Sequence, residues 1–286
     1  EAGHEKNSGW DADGIETVGG AYDVIIDHCS LTWGTDENLS ASGPQFEGST
    51  PDEWRENTSH RIVFSNCIIA EGLSKSTHSK GEHSKGTLVE DNVTDVLILG
   101  NLYASNVERN PLFAGGTTGI IANNYVFNPQ YQAMDFVFPQ SEWGDRKPIT
   151  ARIIVESNVI EFGPDTKPDI PAARFSGPFE IFWRDNKIIK GPEGREFSGE
   201  FTRLFDRPFW PEGLKLMPSD SVRQYVLKNA GALPWDRDET DSRIIGSVQN
   251  KVSRVINSEK EAGGYPVLKP VFRRFNPNEW GSTDKQ

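Results

Sequence analysis

Six short apolar runs recur along this chain, each broken by a bend and a polar residue: VIIDHCSL (24–31), IVFSNCII (62–69), VLILGNLY (96–103), GIIANNYV (119–126), IIVESNVI (153–160) and IFWRDNKI (181–188). The slot after the bend reads His28, Asn66, Asn101, Asn124, Asn158 and Asn186, at separations of 38, 35, 23, 34 and 28 residues. A unit no shorter than 23 residues, lengthened by variable insertions, is the size of one rung of a parallel β-helix. Three short strands make such a rung, each pairing with its equivalents above and below. An Asn at a repeated bend can bond its amide to the next rung and build a ladder. An antiparallel sandwich would also repeat strands, but it calls for Asn-Gly or Asp-Gly hairpins, which are nearly absent between these runs. The expected fold is therefore all-β, a right-handed parallel β-helix or solenoid.

The pattern changes after residue 200. DSVRQYVLKNAGALP (220–234) has helical spacing at Val222, Tyr225 and Val226, Ser219 or Asp220 as N-cap, and Gly231 as a stop before Pro234. DRDETDSRIIGSVQN (236–250) reads as a second short helix, followed by a Gly-, Pro- and aromatic-rich tail. Residues 1–200 are expected to form the rungs and their groove. Residues 201–286 are expected to form a C-terminal helical and irregular cap on the solenoid, within the same domain.

At 286 residues the chain can bury a large core, and its net charge of −12 argues against nucleic acid, whose binding rests on Lys and Arg. No apolar run approaches the roughly 20 residues of a membrane span, so no membrane partner is expected. The opening EAGHEKNSGWDADG has neither a basic start nor an apolar segment, so no signal peptide is read there. It is a polar loop running uncapped into the first strand, which reads as a processed chain or a fragment. Cys29 and Cys67 read as two buried thiols rather than a disulfide framework.

Stacking places equivalent positions of successive rungs about 4.8 Å apart, so distant residues become neighbours. Asp11 and Asp13 in WDADGIE and Asp36 and Glu37 in GTDENLS would then gather around a hard cation. Calcium, which takes several oxygen ligands in irregular geometry, suits that set better than magnesium. A cationic group, His78, Lys80, His83 and Lys85 in THSKGEHSKG with Arg109 in VERNPLFAGG, would face it across a groove. Such a groove holds a uronic-acid sugar and a metal together.

The stretches GWDADGIETVGGAYDVIIDHCSLTWGTDENLS, the HSKG loop, NLYASNVERNPLFAGG with ANNYVFN, and YVLKNAGALPWDRDETDSRIIGSV together resemble the pectate lyase family of parallel β-helix polysaccharide lyases. The resemblance covers residues 9 to about 250. It implies that Asp13 with Asp11, and Asp36 or Glu37, bind calcium. It further implies that Arg109 is the base and that Lys80 or Lys85 binds the substrate carboxylate. Ala114 stands where the family has a second arginine, and Ser40 where it has a carboxylate.

The implied reaction is β-elimination on a uronic-acid polymer. The C5 proton is removed, the C4 glycosidic oxygen leaves, and positive charge stabilises the carboxylate. With a pKa above about 12, arginine is a base only where its cation is strongly disfavoured. Otherwise His83 or a lysine takes the proton and Arg109 clamps charge, or pairs with Glu108 or Glu90. His78 and Trp33 complete the expected substrate contacts. A β-helix glycoside hydrolase would instead use paired carboxylates among Asp11, Asp13, Asp36 and Glu37. A binding solenoid would present Trp10, Trp33 and Trp143 as sugar platforms. The enzyme reading implies a secreted or periplasmic protein, and a capped solenoid is expected to be a monomer.

Overall fold

The computed structural model describes residue 5 and residues 8–191 and 195–266; the end of the expected tail, 267–286, lies outside the described residues. Three sheets wrap around one interior, and a strand of each follows in turn along the chain. The first, here the groove sheet, stacks Ile15–Thr17, Glu37–Ala41, Lys85–Val89, Leu112–Phe113, Met134–Val137, Ala173–Ser176 and Phe197–Ser198. The second runs from Tyr22–Asp27 through His60–Ser65, Thr94–Leu99, Thr118–Ala122, Ala151–Glu156 and Phe179–Arg184 to Thr202–Leu204. The third stacks Ser30–Thr32, Ile68–Ala70, Leu102–Ala104, Tyr125–Phe127, Val159–Glu161 and Lys187–Ile189. Neighbouring rungs pair in parallel throughout. The fold is a parallel β-helix.

Two-residue turns join the second sheet to the third, and there the expected ladder forms. Asn101 donates its amide to Asn124 (3.0 Å), Asn124 to Asn158 (3.0 Å) and Asn158 to Asn186 (2.9 Å). Each Oδ1 also accepts a backbone N–H from the rung before, as Asn101 does from Cys67 (2.8 Å). The first two rungs correct the alignment made from sequence. Cys67 and Cys29 occupy the ladder line, with Cys29 N–H on Cys67 Sγ at 3.4 Å, and both thiols are free. His28 and Asn66 are the bend residues before it, left-handed at φ 50° like Asn123, Ser157 and Asp185 at 53°, 55° and 52°. Bend and ladder positions are adjacent, and Asn suits both.

Side chains of the groove sheet alternate. Leu39, Ala41, Val89, Phe113, Phe136 and Phe175 point into the core. There Phe136 and Phe175 stack at 4.8 Å, and truncating either to Ala would cost about 4 kcal/mol. The outward row runs in register through Glu16, Ser40, Leu88, Leu112, Asp135 and Arg174.

The segment after the last rung covers two of the three outer faces. Helix Ser219–Asn229 and helix Glu239–Gln249 bury Val222, Val226, Ile244 and Val248 against Ile68, Leu102 and Tyr125 of the third sheet. Phe209, Trp210 and Leu214 cover Ile120, Ile154 and Phe182 of the second. The first helix begins differently from expectation. Pro218 occupies the cap position, while the Ser219 amide and hydroxyl bond Asp185 at 3.0 and 2.9 Å, so a turn residue of the solenoid caps the helix. Among the described residues nothing covers the outer face of the groove sheet, and that opening is the cleft.

Candidate active site

The turns from the third sheet into the groove sheet carry the chemistry, and a second chain of buried amides fixes them. Asn38 donates to Asn106 Oδ1 at 3.2 Å, and Asn106 donates to Asn110 Oδ1 at 3.0 Å. Their neighbours Glu37 and Arg109 are thereby held within reach of each other, two rungs apart with Lys85 on the rung between. Arg109 is left-handed at φ 61°, and Thr87 N–H bonds its carbonyl at 2.7 Å. A Cβ on Gly86 would lie 2.4 Å from that carbonyl oxygen, so only glycine lets this rung close on the arginine.

Four carboxylates meet there. Asp13 accepts the Glu37 N–H at 3.2 Å and the Ser40 hydroxyl. One oxygen each from Asp13, Asp36 and Glu37 lie within 4.8 Å of one another. Asp11 is at the rim, 4.0 Å from His78 Nε2. Burial, opposed by the Ser40 hydrogen bond and reinforced by Asp36 and Glu16, pushes Asp13 up to about 7. The positive charge this cluster lacks comes from Arg109, whose Nη1 donates to Glu37 Oε1.

Asp36 is gripped by two stacked imidazoles, with His78 and His83 rings 3.8 Å apart and nearly parallel. Their Nε2 atoms reach its two oxygens at 3.2 and 2.5 Å. The Lys80 N–H donates to His78 Nδ1 at 3.1 Å, which leaves the ring proton on Nε2, facing Asp36. Burial alone would raise Asp36, but the His83 and His78 contacts outweigh it and hold the carboxyl at about 2. Burial, opposed by the Asp36 contact, pulls His83 below its usual range.

Asp11, Asp13, Asp36, Glu37, Lys80 and Arg109 line one cleft of about 470 Å³. Other expected contacts fall elsewhere. Lys85 is buried and ion-paired with Glu108, and burial lowers its pKa to about 8. Arg109 pairs with neither Glu108 nor Glu90 but with Glu37, and burial lowers its pKa from the ordinary arginine value. His78 is fully buried and His83 nearly so, which makes them supports of Asp36 and corrects their reading as a substrate contact and a proton acceptor. Trp33 is also corrected: it is buried on Leu73 and Ile256, its Nε1 bonded to Glu71 at 3.2 Å, and offers no face to a sugar. Trp143 is buried as well, on Asp91.

Sequence reasoning missed the far wall, formed by the turns that leave the groove sheet. Glu90, Asp91, Ala114, Pro139 and Glu142 line it, of which the sequence singles out Ala114 as a departure from the family and Glu90 as a partner for Arg109. It also missed Asp135, fully buried in the outward row, which accepts Arg174 Nε at 2.9 Å and is raised by burial to about 6.

No family model matches the chain. Curated proteins do. One named "Probable pectate lyase C" from Emericella nidulans is 35% identical over 269 residues, 88% of this chain and 54% of that protein. Proteins of the same name from Neosartorya fischeri and Aspergillus flavus are 34% and 26% identical, over 93% and 92% of this chain and 58% and 57% of theirs. The chain is similar to these proteins over most of its own length. It spans about half the length of the curated relatives it matches, 54–58%. Among solved structures it is similar to a thermostable pectate lyase, PL 47 (TM-score 0.46, 15% identical, 78% of this chain, 65% of that one). A pectate lyase variant from Xanthomonas campestris is also similar (TM-score 0.44, 15% identical, 77% and 72%).

Proposed function

We propose that this protein is a polysaccharide lyase that cleaves a pectate-like uronic-acid polymer by β-elimination, with calcium as its cofactor. The observation that carries the reading is the meeting, on the open face of the solenoid, of Arg109 and Lys80 with carboxylates whose oxygens lie within 4.8 Å of one another. Similarity to the pectate lyases supports the same reaction.

The donor set fits a hard cation. Asp13, Asp36 and Glu37 offer oxygens alone, and Asp13 is raised to about 7 in a site short of positive charge. Bound there, calcium would neutralise the uronate carboxylate and so acidify the C5 proton. The protein's own groups do the rest. Lys80, at the cleft, binds the carboxylate, with Lys85 as the buried alternative. Arg109 accepts the C5 proton, the C–H electron pair becomes the C4–C5 double bond, and the C4–O bond breaks toward the leaving sugar. Burial lowers the arginine's pKa, which favours that role, and its pairing with Glu37 opposes it. Arg109 therefore acts once Glu37 has been drawn away.

The hydrolase alternative calls for carboxyls roughly 6.5–9.5 Å apart when inverting and about 5–5.5 Å when retaining. Oxygens within 4.8 Å suit a shared cation better. A polymeric substrate places the reaction outside the cytoplasm. The test is ultraviolet absorbance of the unsaturated product on polygalacturonate, alginate, glucuronan and ulvan. Absorbance that rises on one polymer, falls with chelator and is lost in Arg109→Ala establishes the lyase. New reducing ends without absorbance would replace it by a hydrolase.

A further inference from the structure

The cleft has two ends of opposite character. At the turns entering the groove sheet stand Lys80 and Arg109, the two cations that line it among the described residues. At the turns leaving it stand Glu90, Asp91 and Glu142, and neutral donors hold the first two. Glu90 accepts from Gln45 Nε2 at 2.7 Å, and Asp91 from Trp143 Nε1 at 2.7 Å. Glu142 faces Asp91 directly, carboxyl to carboxyl. The nearby Arg146 guanidinium lies over the Phe46 ring at 4.5 Å instead.

Between these carboxylates the floor is apolar: Leu88, Leu112, Val137 and Ala114 line it. A fully ionised polyuronate carries one negative charge on every unit. Seated across this cleft, it would place one carboxylate against Lys80 and Arg109 and the next against three carboxylates. Above about pH 7, where Asp91 too has given up its proton, like charges set side by side at a desolvated site are a strong device of discrimination. A wall of carboxylates held by neutral donors, beside a hydrocarbon floor, suits hydroxyls, a C–H face or an ester methyl.

We propose that this far end is a subsite for an uncharged sugar unit, so that the natural polymer bears a free uronate at the reacting position beside a neutral or esterified unit. The inference rests on the lyase reading for the reacting position alone. Glu90, Asp91 and Glu142 are its specificity determinants, and Ala114 gives the unit room.

The test compares three polymers with the whole chain: fully de-esterified polygalacturonate, a partly methyl-esterified galacturonan, and a backbone alternating uronate with a neutral sugar. Expected is a kcat/KM on a mixed polymer about tenfold or more above that on the fully ionised one. Glu90→Gln with Glu142→Gln should narrow the gap through KM on the ionised polymer, with kcat little changed. Equal or faster cleavage of the fully ionised polymer, indifferent to the double variant, overturns the subsite. Calorimetry with ionised and esterified oligomers reads the same preference without turnover. Tighter binding of the esterified oligomer supports the subsite even if no unsaturated product ever forms, an outcome that removes only the lyase reading. Tighter binding of the ionised oligomer removes the subsite.

Discussion

Two chains of buried polar side chains climb this solenoid, and they end differently. Along the Asn101–Asn124–Asn158–Asn186 ladder the first three amides each find a partner on the next rung and Asn186 bonds back to the Val155 carbonyl, so the line is satisfied and holds the turns in register. Along the groove sheet, Asn38, Asn106 and Asn110 are equally well paired, but they present Glu37 and Arg109 to a cluster that is not. There Asp13 is pushed up to about 7, Asp36 is held at about 2, and an arginine is pressed into service as a counter-ion. Satisfied polar stacks spend their hydrogen bonds on stability; a site left short of charge is poised for a ligand.

The sharpest way to break that contrast is to remove one residue from each chain. With calcium present to take over the counter-charge and keep the thermal midpoint nearly in place, Arg109→Ala should lower kcat on the preferred polymer by about 10³-fold or more, read by initial rates and calorimetry. Asn124→Ala should do the reverse. It strands the Asn101 and Asn158 partners in the interior and should cost about 3 kcal/mol in a denaturant titration, with activity kept below the midpoint. An Asn124 variant that folds normally but has lost activity would erase the distinction.

A smaller effect sharpens the picture of the groove. Arg109 and a cation compete for Glu37, so Arg109→Ala should tighten calcium binding by about tenfold in calorimetry, although it abolishes turnover. Unchanged or weaker calcium binding in that variant would mean that the ion does not draw on Glu37.

A further effect is on pH. Asp91 is pushed up to about 7, burial being the main cause, against an ordinary carboxylate value of 3.8. In that interval the folded state binds the proton that the unfolded state has released, so its contribution to stability falls as pH rises from 3.8 to about 7. Asp91→Asn should therefore gain thermal stability relative to the parent across that interval and hold a constant difference above it. A difference independent of pH would show Asp91 to be ionised throughout.

The rungs were legible because a solenoid repeats itself: VLILGNLY, GIIANNYV and IIVESNVI say the same thing in successive lines. The one-residue slip at His28 and Asn66 arose because a bend and a ladder position sit side by side and accept the same residue types. Asp13, Asp36, Glu37 and Arg109 could be gathered from stacking and resemblance, since register carries strands separated by 72 residues into contact. Trp33 could not, because its burial depends on Leu73 and Ile256, far away in sequence. Nor could Glu142, which reaches the cleft on an insertion with no periodic signal, or the two histidines, which stack on each other and both bond Asp36.

The central claim is that bond breaking at the groove is an elimination, and the isotopic fate of the product tests it most directly. Digesting the preferred polymer in heavy-oxygen water and weighing the fragments separates the two chemistries. Elimination predicts fragments with an unsaturated end, one water lighter than their hydrolytic counterparts, and no label at the new termini. Saturated fragments carrying heavy oxygen would contradict the account and return the carboxylates to the role of hydrolytic acid and base.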